Sequence, residues 1–527
     1  MNNSDHEILS KGSVTVVIAG QDNENYKQEK LKVYLESLER VIKQQYIEKN
    51  KIIILDIEKK EQTGTNGGIE TKKCVTFAKG IKDVVENLST DYLVIIDSRE
   101  APVFLKYSAV YSFIMALKRF EKVGMVYSDY DTKVEGKIKE CHLLEYHNGR
   151  VRDNFDMGKV FAFSKKAIQS IELDDKLEYG VLYDIRLKIS ELYTINHISN
   201  RFNGSLYTVE QTLKSHNVFD YLQSEKKVQL EMEKILTDHL ERIKAYLAPG
   251  ENQGKRPETK KTDVAISIII PVNNRPGFIA TAIESALVQT IKDKIEVIVV
   301  VNGGYDDPTI EIVEKYLKGG EFYNPELPCV YLMVSDINNI GLCLNMGLEK
   351  AKGQYYLQLD SDDRLKPRAA EIVLKSFQDN PYAGMVIGSY EVWEKKEDNS
   401  IVRQKNMPVV KHEEWTKDNG HNNLLRINGA GAPRAYDINI VKEVGWFGIN
   451  DEPFVRNYGE DYEMVLKISE KYQIERIWEP VYDVVRHSGG TDHSIDQHTI
   501  DRNDNAKDLM RLKAIQRRQG SVALLIQ

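Results

Sequence analysis

From residue 355 the sequence reads Tyr355-Tyr356-Leu357-Gln358-Leu359-Asp360-Ser361-Asp362-Asp363. The apolar and aromatic residues around a single glutamine predict a buried β-strand, which three carboxylates then end. Carboxylates this close repel one another, and a divalent cation such as Mg²⁺ or Mn²⁺ would neutralise them. Because open α/β sheets bind ligands beyond the carboxyl ends of their strands, this motif indicates a metal site. The alternative is a solvated acidic turn.

The composition indicates a multidomain protein that does not bind nucleic acid in general. The chain has 527 residues, of which 41% are hydrophobic, and this length suits two or three domains. A net charge of −8 argues against a nucleic-acid partner. The four cysteines lack paired or metal-type spacing, and the amino terminus lacks an apolar signal region. No apolar run approaches the ~20 residues of a transmembrane segment. We therefore expect a cytoplasmic protein, with peripheral attachment to the inner membrane face as an alternative.

Predicted strands alternate with predicted helices through both halves of the chain. In the first half, strands are expected at 14–18, 51–56 and 92–97, with helices near 31–41 and 75–85. In the second half, strands are expected at 265–270, 296–301, 330–334 and 355–359, with helices near 279–287, 310–317 and 345–351. Pro276 is expected in a first helical turn. This alternation indicates α/β domains with mostly parallel, mixed sheets.

Three stretches recur in the same order in the two halves. Residues 97–100 fall where residues 360–363 fall, residues 123–130 resemble 383–390, and residues 179–191 resemble 458–470. Three ordered matches predict a tandem duplication of one Rossmann-like domain. We expect a degenerate first copy at 1–212, a helical segment and polar linker at 213–263, a second copy at 264–495, and a helical tail at 496–527 for packing or oligomerisation.

An ordered set of motifs in the second half resembles the family 2 glycosyltransferases. The motifs are Pro271-Val272-Asn273-Asn274-Arg275, Asn302-Gly303-Gly304, residues 345–353, residues 360–363, Gly459-Glu460-Asp461-Tyr462 and Arg486-His487. The resemblance covers about residues 264–495 and, weakly, 13–210. It implies two tandem GT-A-like domains. It also implies an inverting, metal-dependent enzyme that transfers a hexose-type sugar from a nucleotide-sugar donor to a hydroxyl of a glycan, glycolipid or protein.

The resemblance also implies a site for a divalent metal cofactor, Mn²⁺ or Mg²⁺. Asp362 matches the direct metal ligand, and Asp360 matches a residue that contacts the ribose or reaches the metal through water. Asp363 would support the site. His487 falls where similar enzymes supply an imidazole ligand, with a surface or capping histidine as the alternative. A metal that bridges the diphosphate would stabilise the departing anion.

The same resemblance assigns a catalytic base and two acceptor contacts. Asp461 matches the family's base, and a carboxylate near the acceptor hydroxyl would take its proton. The alternative for Asp461 is a first-turn acid favoured by the helix dipole. Glu460 is expected to steer the acceptor or hold the loop. Trp446 is expected to stack on an acceptor sugar, with core packing as the alternative.

The donor pocket is expected to use residues from several strand ends. The predicted donor contacts are Pro271, Val272, Asn273, Asn302, Asn345, Asp360 and Ser361. Asn302 stands where the family commonly has an aspartate that reads the base, and Leu344 stands where many members have a basic residue. The base therefore stays open: UDP is the family default, and GDP and dTDP are alternatives.

The first copy resembles an inactive version of the second. Arg99 replaces a metal-binding aspartate and Leu182 replaces the base, while the stretch 203–205, taken as the counterpart of His487, has no imidazole. We expect a scaffold, a subunit contact in a homo-oligomer, or a holder for a long acceptor. Metal-free nucleotide binding with Arg99 in place of the cation is the alternative.

For the whole chain, two other functions compete with glycosyl transfer. One is a non-catalytic pseudoenzyme or scaffold that binds a nucleotide-sugar. The other is a nucleotidyltransferase, which would also use paired carboxylates on an α/β sheet but would leave Asp461 without a clear role.

Overall fold

The computed structural model describes residues 13–20, 51–57, 62–66, 69–200, 204–210, 226–250, 254–258, 262–398, 400–412, 420–427, 431–449, 458–487 and 496–525. The helix expected near 31–41 lies outside these residues. The chain divides into two compact units, Met1–Ile243 (unit 1) and Lys244–Gln527 (unit 2). Among the described helices, none has the length and apolar character needed to cross a membrane.

The described part of unit 1 contains an eight-stranded sheet and a four-stranded sheet. The strands are β1 (Val14–Ala19), β2 (Ile52–Ile57), β3 (Gln62–Asn66), β4 (Ile69–Cys74), β5 (Tyr92–Asp97), β6 (Val103–Leu105), β7 (Val123–Ser128), β8 (Tyr130–Val134), β9 (Lys137–Cys141), β10 (Val160–Ser164), β11 (Thr194–Ile198) and β12 (Tyr207–Glu210). The helices are α1 (Phe77–Glu86), α2 (Ala109–Arg119), α3 (Lys165–Gln169), α4 (Val181–Leu192) and α5 (Lys226–Arg242). The larger sheet has the order β11-β7-β10-β5-β1-β2-β4-β3, and the smaller has β6-β12-β8-β9.

The described part of unit 2 is built on one nine-stranded sheet. The strands are β13 (Ile266–Val272), β14 (Ile295–Val301), β15 (Val330–Val334), β16 (Tyr355–Gln358), β17 (Arg364–Leu365), β18 (Ala383–Lys395), β19 (Ile401–Arg403), β20 (Arg434–Asp437) and β21 (Gln473–Arg486). The helices are α6 (Ile279–Leu287), α7 (Thr309–Glu314), α8 (Ile340–Lys350), α9 (Ala369–Asp379), α10 (Gly420–Asn423), α11 (Ile438–Glu443), α12 (Glu460–Ser469) and α13 (Gln497–Leu525), with a 3₁₀ turn at Lys292–Lys294. The strand order is β15-β14-β13-β16-β20-β18-β21-β17, with β19 beside β18.

The two units share one strand order. The series β4-β2-β1-β5-β10-β7-β11 in unit 1 matches β15-β14-β13-β16-β20-β18-β21 in unit 2. In both units one antiparallel strand, β10 or β20, separates two groups of parallel strands. Unit 2 has long strands β18 and β21 where unit 1 has the pairs β7–β8 and β11–β12. These topologies confirm the predicted fold class of two tandem GT-A-like domains with mixed, mostly parallel sheets.

Strand register aligns the two acidic motifs. Tyr92, the first residue of β5, pairs with the first residue of β1, and Tyr355, the first residue of β16, pairs with the first residue of β13. Counted from these tyrosines, residues 97–100 occupy the positions of residues 360–363. The turn that begins with Asp97 in unit 1 is therefore equivalent to the turn that begins with Asp360 in unit 2.

A close contact between a strand and a following tyrosine is also repeated. A Cβ atom on Gly124 of β7 would lie 2.6 Å from Tyr193 Cβ, and one on Gly384 of β18 would lie 2.7 Å from Tyr472 Cβ. Tyr193 and Tyr472 each follow the end of the helix that packs on the sheet. Glycine is required at both positions because a side chain would separate the helix end from the strand.

Each unit ends in a helix that covers the amino-terminal end of an earlier helix. In unit 1, Ile235 of α5 lies against Gly180, which precedes α4. In unit 2, Met510 of α13 lies against Gly459, where a Cβ atom would come within 2.6 Å of the Met510 Cε atom. The helix expected in the segment 213–263 thus packs within unit 1, and the helical tail expected at 496–527 packs within unit 2.

In unit 1 this contact includes a carboxylate that caps the start of α4. Glu231 of α5 accepts hydrogen bonds from the backbone N–H groups of Glu178, Tyr179 and Gly180, at 2.9, 2.8 and 2.6 Å. Backbone N–H groups at the start of a helix have no partner within the helix. The carboxylate accepts from such groups here, and its negative charge interacts favourably with the positive end of the helix dipole.

Two helices begin at different residues from those that the sequence predicts. Helix α8 begins five residues before the predicted start, because the Asn339 side chain caps it by accepting from the Leu342 N–H at 2.8 Å. Pro276 lies in the turn before α6, and the first helical residue is Ile279. Both differences concern the first turn of a helix, where the hydrophobic pattern of the sequence determines the exact first residue least well.

Replacing Gly384 with alanine is expected to destabilise unit 2 by about 1–3 kcal/mol, because the new Cβ would overlap the Tyr472 Cβ near the backbone. Urea unfolding of the full chain measures this effect. Gly277→Ala is the matched control, since no atom lies within 4 Å of a Cβ built at that glycine. Equal unfolding midpoints for the two variants would contradict the packing argument.

Candidate active site

The acidic motif of unit 2 lies at the carboxyl end of β16 and is held by β21. The backbone N–H of Asp360 donates to the Tyr482 Oη atom at 3.0 Å, and Asp363 Oδ1 accepts from the Val485 N–H at 2.8 Å. Gln358 Nε2 donates to Asp360 Oδ1 at 2.9 Å. The turn is thereby fixed by a strand that comes more than 100 residues later in the sequence.

Asp362 and His487 meet directly. The Nε2 atom of His487 lies 3.0 Å from Asp362 Oδ2, and the His487 ring centroid lies 4.4 Å from that of Phe278. The imidazole directly follows β21, so the pairing of β21 with β17 brings it beside the acidic turn. The structure therefore brings together two of the predicted metal ligands.

Arg434 joins the acidic turn to the predicted base. Its Nη1 atom donates to Asp461 Oδ2 at 3.0 Å, and its Nη2 atom lies 3.7 Å from Asp360 Oδ2. Arg434 is the first residue of β20, the strand next to β16. The sequence reasoning missed it. A comparison of the two copies could have found it, because the equivalent residue of unit 1 is the uncharged Phe161.

Glu460 and Asp461 begin α12 after a glycine with a left-handed backbone. Gly459 has φ 90°, and the Tyr462 N–H donates to Asp461 Oδ1 at 2.7 Å. Burial, helped by the nearby Asp461 charge, raises the pKa of Glu460 to about 8. Near neutral pH, Glu460 therefore holds its proton, whereas Asp461 is paired with a guanidinium. Glu460 can therefore donate a hydrogen bond, whereas the Asp461 carboxyl group accepts one from Arg434 and one from the Tyr462 N–H.

The other carboxyl groups of the motif are also perturbed. Burial raises the pKa of Asp360, with opposition from Arg434 and Gln358. Burial also raises the pKa of Asp363 well above its usual value, and the charges of Asp360 and Asp362 add to this rise. A cluster in which each carboxylate disfavours ionisation of the next is a place where a cation would be stabilising.

The predicted donor residues of β13 and β14 lie at the same sheet edge. Pro271 and Val272 end β13, Asn273 follows it, and the Asn302 N–H donates to Val272 O at 2.9 Å. Ser361 lies in the acidic turn and is buried. The Asn302 side chain is buried too, and its Oδ1 atom has no hydrogen-bond partner within the described residues. An unsatisfied buried acceptor at a ligand-binding edge suits a donor group on a ligand.

Asn345 and Trp446 are placed differently from these residues. Asn345 Nδ2 donates to Phe447 O at 2.9 Å, and Asn345 Oδ1 accepts from the Phe447 N–H at 3.0 Å. Trp446, with φ 63°, lies after α11, and its ring centroid is 5.2 Å from Lys442 Nζ. Asn345 thus fixes the loop that carries Trp446. Donor binding by Asn345 and acceptor binding by Trp446 stay predictions.

The equivalent turn of unit 1 is closed by an internal ion pair. Arg99 donates from Nε and Nη2 to the two carboxylate oxygens of Asp97 at 2.8 and 2.9 Å, and its guanidinium lies 4.0 Å from the Phe77 ring centroid. Despite burial, Arg99 holds the pKa of Asp97 below its usual value. The guanidinium that would replace a cation in the alternative of metal-free nucleotide binding is therefore already engaged by the protein.

Strand register also identifies the counterpart of His487. It falls at Thr212, two residues beyond β12, because Glu210 pairs with β8 as Val485 pairs with β18. The stretch 203–205, where the sequence comparison located it, lies several residues too early. The longer connection between β11 and β12 accounts for the shift. Thr212 lies outside the described residues, and threonine has no imidazole.

The sheet order, the aspartate turn at the end of β16 and the acidic start of α12 define a GT-A-type domain. Residues 267–433 match the family model described as glycosyl transferase family 2. This part of the chain is therefore a family 2 glycosyltransferase domain.

Three curated relatives are named as chondroitin or hyaluronan synthases. The chondroitin synthase of Pasteurella multocida (strain Pm70) is 30% identical over 231 residues, which are 43% of this chain and 21% of that protein. The hyaluronan synthase of Pasteurella multocida gives the same values. The chondroitin synthase of Escherichia coli is 28% identical over 235 residues, which are 44% of this chain and 30% of that protein. This chain thus spans less than a third of the length of these relatives.

Solved structures are similar over part of the chain. The structure of S. aureus TarS 1-349 in complex with UDP-GlcNAc has 17% identity and a TM-score of 0.35, and the match covers 44% of this chain and 62% of that one. The mannosyltransferase PcManGT from Pyrobaculum calidifontis, in complex with GDP-Man and Mn²⁺, has 15% identity and a TM-score of 0.33, over 56% and 84% of the two chains.

Glu460→Gln is expected to stabilise unit 2 increasingly as the pH rises from about 4.5 to about 8. In this window the folded wild-type protein keeps a proton that the unfolded chain releases, so its stability falls as the pH rises. The glutamine variant lacks this loss, which amounts to at most about 1.4 kcal/mol per pH unit.

Urea unfolding of both proteins at several pH values measures the difference. Glu479→Gln, at an exposed position of β21, is the control. A difference between Glu460→Gln and wild type that does not change with pH would show that the Glu460 carboxyl group is not perturbed.

Proposed function

We propose that unit 2 is an inverting, metal-dependent glycosyltransferase. It moves a hexose-type sugar from a nucleotide-sugar donor to a hydroxyl of a glycan, glycolipid or protein. The observation that carries this proposal is the Arg434 bridge between Asp360 and Asp461, with the Asp362–His487 pair beside it. The bridge holds a candidate leaving-group site close to a candidate base, and a single displacement uses both of these groups.

The Asp362–His487 pair fits a divalent cation. Its oxygen and nitrogen atoms are 3.0 Å apart, the spacing of two adjacent ligands that each lie about 2.1 Å from one metal ion. No group of three or more His, Cys, Asp or Glu side chains is arranged to hold a metal in the described part of the chain. Donor phosphate oxygens and water would therefore complete the coordination. Mn²⁺ or Mg²⁺ bound there would neutralise charge on the departing diphosphate.

The donor nucleotide would lie across the ends of β13, β14 and β16. The buried Asn302 Oδ1 atom can accept a hydrogen bond from a ring N–H of a base, which uracil, thymine and guanine all present. Pro271, Val272 and Asn273 would line the same pocket, with Asp360 and Ser361 near the ribose. UDP-sugars are favoured as the family default, and GDP- and dTDP-sugars are the alternatives.

The Asp461 carboxylate would accept the proton of the acceptor hydroxyl. As that oxygen forms its bond to the anomeric carbon, the bond between this carbon and the diphosphate oxygen breaks, and its electron pair leaves with the diphosphate. One displacement from the face opposite the leaving group inverts the anomeric configuration. Arg434 fixes the Asp461 carboxylate, and the protonated Glu460 can donate a hydrogen bond to the acceptor.

A glycan is the favoured acceptor among the three classes. Three of the relatives are named as synthases of chondroitin or hyaluronan, which are polysaccharides. Trp446 would stack on a sugar ring of that acceptor. Unit 1, with its closed Asp97–Arg99 pair, would act as a scaffold, subunit contact or acceptor holder.

A matching nucleotide-sugar is expected to stabilise the protein only when Mn²⁺ is present. At about 100 times its dissociation constant the ligand contributes roughly 2.7 kcal/mol. Thermal-shift measurements with UDP-, GDP- and dTDP-sugars test this, and Asp362→Asn should abolish the shift. Asp97→Asn in unit 1 is the matched control and should retain it. A shift that needs no metal, or that survives Asp362→Asn, would contradict the proposed metal site.

Asp461→Asn is expected to lower kcat by about 10²–10⁴-fold, because the acceptor proton loses its base. The metal-dependent thermal shift should persist, since donor binding does not need this carboxylate. Transfer of radiolabelled sugar to an oligosaccharide acceptor gives the rate, and NMR of the product gives the anomer. Glu463→Gln, in the same helix, is the control. Near-normal turnover in Asp461→Asn would favour another base, and turnover absent from wild type as well would favour the pseudoenzyme.

A further inference from the structure

The two helices that end the units can be aligned residue by residue. Ile235 contacts Gly180 and Met510 contacts Gly459, so Ile235 and Met510 are equivalent. Seven residues later in each helix, an arginine pairs with an equivalent glutamate: Arg242 with Glu191 at 2.8 Å, and Arg517 with Glu470 at 2.7 Å. Two independent contacts thus give the same register, and the duplicated segment includes these helices.

This alignment reveals a change of chemistry on the helix face near Gly459. Lys507 and Arg511 of α13 occupy the positions of Met232 and Leu236 of α5. Lys507 is 6% exposed and Arg511 is fully buried. Burying two cations costs free energy unless other groups compensate for their charge. The two buried cations of unit 2 therefore require partners that unit 1 does not need.

Arg511 is accounted for by structural contacts. Its Nη1 atom donates to Asp508 Oδ1 at 2.7 Å on the same helix, and its Nη2 atom donates to Ile427 O at 2.8 Å. Its guanidinium also lies 5.1 Å from the Tyr462 ring centroid. Arg511 thus anchors α13 to the segment that follows α10.

Lys507 lies beside the turn that carries the predicted base. Its Nζ atom lies 4.6 Å from the ring centroid of Tyr458 and 5.6 Å from that of Tyr462, the residues on either side of the Gly459-Glu460-Asp461 turn. Burial lowers the pKa of Lys507, but Tyr458 and Asp461 raise it above its usual value. The ammonium group is therefore held as a cation within the electrostatic reach of the Asp461 carboxylate.

Asp461 is thus paired with the Arg434 guanidinium of β20, and the Lys507 ammonium group of α13 lies beside the two tyrosines that flank the Asp461 turn. The equivalent residues of unit 1 are all uncharged: Leu182, Phe161 and Met232. By contrast, two packing contacts of the same helices, the arginine–glutamate pair and the close approach to the glycine, are retained in both units. The lysine therefore differs between the units together with the acid, while these two contacts do not.

We propose that Lys507 is a positioning residue for Asp461, so that helix α13 forms part of the catalytic site. The ammonium group, which lies against the Tyr458 and Tyr462 rings, holds the Gly459-Glu460-Asp461 turn and adds a second positive charge near the carboxylate that Arg434 binds. This inference rests on the proposed role of Asp461 as the base. It also assigns a function to a helix that lies outside the segment matched by the family model.

Lys507→Met tests the inference by introducing the residue that unit 1 carries at this position. In the full chain, kcat is expected to fall about 10- to 100-fold, as for a displaced catalytic group, while the metal-dependent donor shift is unchanged. Lys507→Arg should recover most of the loss, because it restores the cation. Lys513→Met, at an exposed position of the same helix, should leave kcat unchanged. Rates are normalised to the fraction of protein that binds donor, so that partial unfolding does not imitate the effect.

The double variant Lys507→Met/Asp461→Asn separates a positioning role from a general structural one. If Lys507 acts through Asp461, its substitution costs nothing further once the carboxylate is absent. An equal loss in both backgrounds, or wild-type kcat in Lys507→Met, would overturn the inference and leave the proposed base intact. Near-normal turnover in Asp461→Asn alone would instead overturn the proposed role of Asp461 as the base, and turnover absent from wild type would overturn the proposed function.

Discussion

Repulsion among carboxylates at one sheet edge is the constraint to which the rest of unit 2 responds. Asp360, Asp362, Asp363 and Asp461 converge from the end of β16 and the start of α12, and burial raises the pKa of Asp360 and of Asp363. Two devices within the chain relieve this repulsion. The Arg434 guanidinium lies between Asp360 and Asp461, and the His487 imidazole lies against Asp362. A cation supplied with the donor would complete the neutralisation.

Unit 1 shows how the same fold removes this constraint altogether. Asp97 keeps its place, but Arg99 within the same turn neutralises it with two hydrogen bonds. The positions of Arg434 and Asp461 carry Phe161 and Leu182, which need no partner, and Glu100, at the position of Asp363, pairs with Lys159 at 2.8 Å. The glycine–tyrosine contact of β7 and the ion pair between α4 and α5 were kept. These packing contacts are therefore present in both units, whereas the charges at the positions of Arg434 and Asp461 are absent from unit 1.

The local hydrophobic pattern was sufficient to predict the strands of the sheet and the acidic turn, because hydrophobic periodicity and turn-forming residues act over a few neighbouring positions. The contact between Asp362 and His487 could be expected only from a resemblance, since 125 residues separate them. Arg434 and Lys507 were missed because their roles arise from pairing with distant elements. Helix α5 was predicted as part of a linking segment for a similar reason. Its amphipathic pattern shows that the helix has an apolar face but does not show which surface this face covers.

The capping of α4 by Glu231 bears on where the chain can be divided for expression. A fragment that stops after residue 212 would lack α5, and three backbone N–H groups at the start of α4 would lose their carboxylate acceptor. The truncation would also uncover the apolar surface beneath Ile235 and Leu236, which are almost fully buried. Such a fragment would carry a new aggregation-prone patch, whereas a cut between residues 243 and 244 keeps α5 and α13 each with the helix that it covers.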